Sequence, residues 1–97
     1  MDKKHFEIDL TGVDTYGEFH TRIKNALDLP DYYGENLDAL YDVLVELGDG
    51  WDIVFLHTRE LEEALPRYAE KLKKLFNDAG REQKGLKIRF SAKEAEI

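Results

Sequence analysis

Leu29-Pro30-Asp31-Tyr32-Tyr33-Gly34-Glu35-Asn36-Leu37-Asp38-Ala39-Leu40-Tyr41-Asp42 is the segment that organises this chain. Pro30 ends any helix that precedes it. Residues 31–34 form a short connector with two tyrosines, in which Gly34 is free to take an unusual backbone angle. Asn36 is suited to cap a helix running over residues 36–47. Leu37, Leu40, Tyr41, Leu44 and Leu47 make the apolar side of that helix, and Gly48 supplies its stop.

The other side of the same helix is acidic. Glu35, Asp38, Asp42 and Glu46 are spaced three, four and four apart, which stacks them on one helical face. Like charges at that spacing destabilise a helix by roughly 0.2–0.5 kcal/mol per pair. A solvent face built for stability alone would interleave Lys or Arg. Between Lys24 and Arg59 there is no Lys or Arg, but there are eight acids: Asp28, Asp31, Glu35, Asp38, Asp42, Glu46, Asp49 and Asp52. That window holds −8 of a net charge of −7, so the remainder sums to +1. One concentrated patch of one sign attracts a partner of the other. Tyr32 and Tyr41 flank it, and each reads equally as core or as a binding residue. Tyr33 reads as packed.

Working outward, Phe6, Ile8 and Leu10 alternate as a strand should. Thr15 and Glu18 form a capping-box pair ahead of a helix over residues 16–27, with Tyr16, Phe19, Ile23, Ala26 and Leu27 at helical spacing. Gly48-Asp49-Gly50 is a turn. Ile53-Val54-Phe55-Leu56 is a continuous apolar run, as in a strand buried on both faces. Residues 59–65 suit a short helix before Pro66. A longer helix over residues 66–79 turns Tyr68, Leu72, Leu75, Phe76 and Ala79 inward and stops at Gly80. Leu86, Ile88 and Phe90 alternate with Lys87 and Arg89, giving an edge strand, and residues 92–97 are expected to fray. Strands separated by helices imply right-handed crossovers and an α/β fold with a parallel sheet.

A chain of 97 residues, 42% hydrophobic and 36% charged, reads as a single globular domain over residues 1–97. It has no cysteine, hence neither disulfide nor thiol chemistry. No apolar run has the length of a membrane span, and Met-Asp-Lys-Lys-His lacks a signal-peptide core, so a cytoplasmic protein away from membranes is expected. The net charge argues against direct nucleic-acid binding.

Little here points to catalysis. His5, His20 and His57 are scattered, none at a metal-ligand spacing, and each reads as an ordinary surface or half-buried histidine. There is no nucleophile elbow and no phosphate-cradling glycine loop. Asp38 and Asp42 are one turn apart, but general acid work needs one carboxyl in an apolar pocket. Helical side chains on one convex face rarely surround an ion, so no metal and no cofactor are expected.

The opening segment resembles the signature of the barstar family, intracellular inhibitors of a secreted ribonuclease of the barnase type. The tyrosine pair, Gly-Glu-Asn-Leu-Asp and the second aspartate one turn later match in type and spacing over fourteen residues. A looser resemblance spans nearly the whole chain. It implies a barstar-like fold, a three-stranded parallel sheet packed with three to four helices. It also implies that the signature helix plugs the active site of a basic ribonuclease, one to one, with no enzymatic activity of its own. By that resemblance Asp42 takes the place of the substrate phosphate. Asp38 is the second acid, Tyr32 packs over the catalytic histidine, Asn36 is a contact at the helix start, and Asp78 pairs with a peripheral base. Tyr41 stands where the family has tryptophan. Asp78 is one methylene shorter than the family glutamate. Glu46-Leu47 replaces a Gly-Trp pair, with Trp51 following after a one-residue insertion. The partner-facing set is therefore Tyr32, Asn36, Asp38, Tyr41, Asp42, Glu46 and Asp78.

Rival readings keep their own discriminators. An immunity protein against a different toxin nuclease would share the fold and differ at the rim near Glu46 and Asp78. A carboxylate or metal-dependent hydrolase would lose substrate conversion when Asp42 is changed. A scaffold without a nuclease partner would bind none of a broad ribonuclease panel.

Overall fold

In the computed structural model, which describes residues 3–90, seven elements follow in the order β1 (Lys4–Asp9), α1 (Tyr16–Leu27), α2 (Leu37–Leu47), β2 (Trp51–Leu56), α3 (Arg59–Ala64), α4 (Pro66–Glu82) and β3 (Lys87–Phe90). The frayed tail expected at residues 92–97 lies outside the described residues. The sheet has three strands in the order β1-β2-β3, all parallel, as the alternation of strands and helices requires. The architecture is the α/β barstar-like fold that the resemblance implied.

Local chemistry sets each boundary. Thr15 accepts the Glu18 N–H at 3.2 Å and starts α1. The Glu18 carboxylate faces Arg22 at 3.6 Å. Asp28, in the left-handed region at φ 52, ends α1. Asn36 caps α2 by accepting the Ala39 N–H at 2.8 Å. Gly48 terminates α2 at φ −81, so it serves by the space it leaves rather than by a left-handed angle. An added Cβ there would collide with the Leu44 carbonyl oxygen and crowd Leu86. Pro66 opens α4 at a position where no N–H is needed.

Two expectations about individual elements are corrected. The last helix runs through Gly80 to Glu82, because glycine there costs only about 1 kcal/mol against many packed neighbours. The stretch Ile53–Leu56 is fully buried on one face alone: Ile53 and Phe55 are buried, while Val54 and Leu56 are half-buried. In register beside those two stand exposed Glu7, Asp9 and Arg89. Charged side chains, not a second helical layer, border that side. Asp52 lies on this side as well, with His5 Nδ1 at 3.0 Å and Arg89 Nη2 at 3.4 Å. The His5 pKa is raised, first by the Asp52 carboxylate and then by Glu7, and Asp52 is correspondingly lowered.

The helical side holds the core. Phe55 stacks on Phe76 at 5.1 Å and on Phe19 at 5.9 Å, and Phe90 closes on both Phe55 and Phe76. Four rings thus tie α1, β2, α4 and β3 together. α1 lies on β1, α4 lies on β3, and both α2 and α3 pack against α4. Trp51 is buried at the start of β2, edge-on to Phe6 at 5.5 Å.

Candidate functional site

The connector between α1 and α2 is held from inside. Leu29 and Tyr33 are buried, and the Tyr33 N–H bonds to the Pro30 carbonyl at 3.0 Å. A turn whose residues 29 and 33 face inward throws residue 32 outward. Tyr32 is 86% exposed, so it belongs to the surface rather than the core.

The anchor of this connector is His20, which the sequence reading placed among ordinary histidines. It is 1% exposed. Its Nδ1 lies 2.7 Å from the Tyr33 hydroxyl and its Nε2 2.6 Å from the Tyr68 hydroxyl. One ring nitrogen donates and the other accepts, so both polar atoms are satisfied. Burial pushes the His20 pKa down, and the Glu35 carboxylate partly opposes this. Burial likewise raises the Tyr33 phenol, and pushes Tyr68 up to about 12, so both stay protonated. The missed signal was helical spacing: His20 precedes the buried Ile23 by three residues and Leu27 by seven, on the inward face.

The left-handed residue of the connector is Glu35 at φ 54, not Gly34. Gly34 matters for room: a Cβ there would come within 3.3 Å of Ala39 Cβ and Asn36 Nδ2. Asn36 has its amide engaged twice, accepting from Ala39 and donating to the Gly34 carbonyl at 3.2 Å. Its amide therefore serves first to position α2.

On α2, Leu40 and Leu44 are buried, while Tyr41, Val43 and Val45 are partly buried against the core. The opposite side shows Asp38, Asp42 and Glu46, all exposed and successive at four-residue intervals. Glu35 precedes the helix, so the face carries three acids rather than the expected four. None of the three forms an ion pair with a described residue. The last turn of α2 has no basic residue, and the negative end of the helix dipole lies near Glu46.

α2 stands as a ridge between grooves. One, of about 220 Å³, brings together Tyr32, Asp42 and Glu46. The other, of about 250 Å³, runs along α4 and brings together Asp38, Tyr41 and Asp78 with Lys71 and Lys74. A third cleft, at the start of α2, includes Asn36 and Asp38. All seven expected residues therefore lie on or beside one ridge, but on different flanks. Asp78 is already paired, with Lys74 at 3.0 Å and Arg81 at 3.8 Å. Leu47, at the end of α2, is 49% exposed.

Among the described residues, no three His, Cys, Asp or Glu side chains are grouped to hold a metal ion. No helix among them is long and apolar enough to cross a membrane.

The family profile described as "Barstar (barnase inhibitor)" matches residues 3–93. A protein of Bacillus subtilis (strain 168) named "Putative ribonuclease inhibitor YrdF" is 56% identical over 32 residues. That match takes in 33% of this chain and 31% of the relative's length. By a profile match covering nearly all of its sequence, this chain belongs to the barstar family.

Proposed function

We propose that the chain is a ribonuclease inhibitor that seats the α2 ridge in the cationic active site of a barnase-type enzyme, one to one. The observation that carries this reading is the row Asp38, Asp42 and Glu46, exposed and without ion partners among the described residues, beside the exposed Tyr32. An active site that grips phosphate is cationic, and carboxylates answer it with charge-assisted hydrogen bonds. Asp42 is the central phosphate mimic. Tyr32 covers the neighbouring groove, and Tyr41 and Asp38 line the flank toward α4. Family membership and the relative's name support ribonuclease inhibition in general, and the barnase-type partner is the finer step. The site of action is cytoplasmic, where an unblocked ribonuclease would destroy the producer's RNA.

A second reading keeps the fold and changes the partner to another toxin nuclease. It is favoured by the rim: Asp78 is neutralised by Lys74 and Arg81, and Leu47 is exposed where the family carries an aromatic. Titrating the chain into a barnase-type ribonuclease while following RNA hydrolysis separates the two. Activity lost at one equivalent supports the first reading. Full activity at large excess, with inhibition of a different nuclease, supports the second.

A further inference from the structure

Tyr16 and Tyr68 wall a cleft of about 360 Å³ that Glu35, Asn36, Leu37 and Asp38 complete. It lies at the start of α2, next to the face assigned above to the ribonuclease, but is built from α1 and α4 as well. Tyr16 is 55% exposed and leans on Tyr68, with ring centroids 4.4 Å apart and planes at 47°. The Tyr68 hydroxyl is held by His20, which fixes its ring at the cleft wall. Glu35 sits at the mouth in a left-handed conformation that a residue with a Cβ adopts only at a cost. Neither Glu35 nor Asp38 pairs with a cation among the described residues, and no cation lines the cleft.

These features select a ligand. An anion would be repelled by two carboxylates. An apolar group would leave both to be desolvated without compensation. A cation gains from the carboxylates, and a planar cation gains again from the tyrosine faces. The guanidinium group is planar, weakly hydrated and able to bond a carboxylate while stacking. The positive end of the α2 dipole opposes a cation by about half a charge, against two full negative charges. We propose that this cleft receives an arginine side chain of the protein partner, stacked on Tyr16 and Tyr68 between Glu35 and Asp38. The proposal rests on the inhibitor reading only for who supplies the arginine.

The cleft can be tested on the free protein. N-acetyl-arginine methylamide is titrated in while the ring resonances of Tyr16 and Tyr68 are followed by NMR. Saturable shifts at both rings are expected. Tyr16→Ala should weaken binding about threefold to thirtyfold, the range for one cation–π contact, and Tyr16→Phe should preserve it. Glu35→Gln combined with Asp38→Asn should remove it, and the lysine analogue should bind more weakly. Absence of saturable shifts, unchanged binding in Tyr16→Ala, or a preference for lysine would overturn the site. No ribonuclease is needed, so failure here is separate from failure of the inhibitor reading. For the partner, Tyr16→Ala should speed dissociation of an inhibited ribonuclease at least threefold, and an unchanged rate would overturn the assignment of the arginine to it.

Discussion

His20 on α1 and Tyr68 on α4 share a hydrogen bond of 2.6 Å beneath the connector that presents Tyr32. With Tyr33 on the other ring nitrogen, the histidine joins two helices to the loop that enters the binding ridge. Tyr68→Phe leaves one buried ring nitrogen without a partner. The expected loss of stability is about 1–3 kcal/mol, measured by urea unfolding. A loss within error would show that water replaces the hydroxyl.

The same histidine gives stability a pH dependence of definite sign. Its folded pKa is depressed by burial below the ordinary value of about 6.5. Above that value neither state binds the proton, and the contribution is complete. As pH falls below it, the unfolded chain takes up a proton that the folded chain refuses, and stability declines until the folded pKa is reached. The slope for one proton is at most about 1.4 kcal/mol per pH unit. His5 acts oppositely, since its raised pKa favours the folded state at low pH. Urea unfolding between pH 8 and pH 5.5 in a His5→Gln background should therefore show a decline. A flat profile would mean that His20 titrates alike in both states.

Binding should depend on Asp42 far more than on Asp49. Docked in a cationic site, Asp42 would be desolvated, and removing one member of a buried ion pair costs about 3–5 kcal/mol, a hundredfold or more in affinity. Asp49 is an exposed turn residue outside the three grooves, where a substitution is usually within about 0.5 kcal/mol. Calorimetric titration of Asp42→Ala and Asp49→Ala against the inhibited ribonuclease compares them. Equal losses would take α2 out of the interface.

Glu46 should trade stability for binding. It sits in the last turn of α2, facing the negative end of the helix, with no basic residue to offset it. Glu46→Lys should stabilise the free protein by about 0.3–1 kcal/mol and weaken the complex. Thermal melting and a binding titration on the same variant measure both. Gain in both stability and affinity would place Glu46 outside the contact.

The helices were legible in the sequence where local chemistry decided them. Thr15 and Asn36 announced both caps, and Leu40 and Leu44 announced the inward side of α2, whereas Leu47 at its end is exposed. The acidic ridge was legible because like charges recurred at four-residue spacing. His20 was not, since its partners lie 13 and 48 residues away and only the fold brings them to one ring. The pairing of Asp78 was locally readable, because Lys74 and Arg81 are its helical neighbours at i−4 and i+3, yet the family resemblance pointed to a partner's base instead. The exposed charges beside Val54 were hidden for another reason. An apolar run looks the same whether helices or charged neighbouring strands border its second face.

Ionic strength should act on the rate of encounter. The acidic window from Asp28 to Asp52 draws a basic enzyme before contact, and that attraction extends about one Debye length. The length is about 30 Å at 0.01 M salt and about 3 Å at 1 M. Across that range the association rate should fall steeply toward the value set by unguided collision. Dissociation should change much less, because contacts around Asp38, Asp42 and Tyr32 would be shielded from salt once docked. An interface held by apolar contact would show an association rate nearly flat in salt. Stopped-flow mixing with a barnase-type ribonuclease at several salt concentrations distinguishes the two. A flat association rate would reduce Asp38, Asp42 and Glu46 to a solvated helix face, and the inhibitor reading would then have to rest on the tyrosines alone.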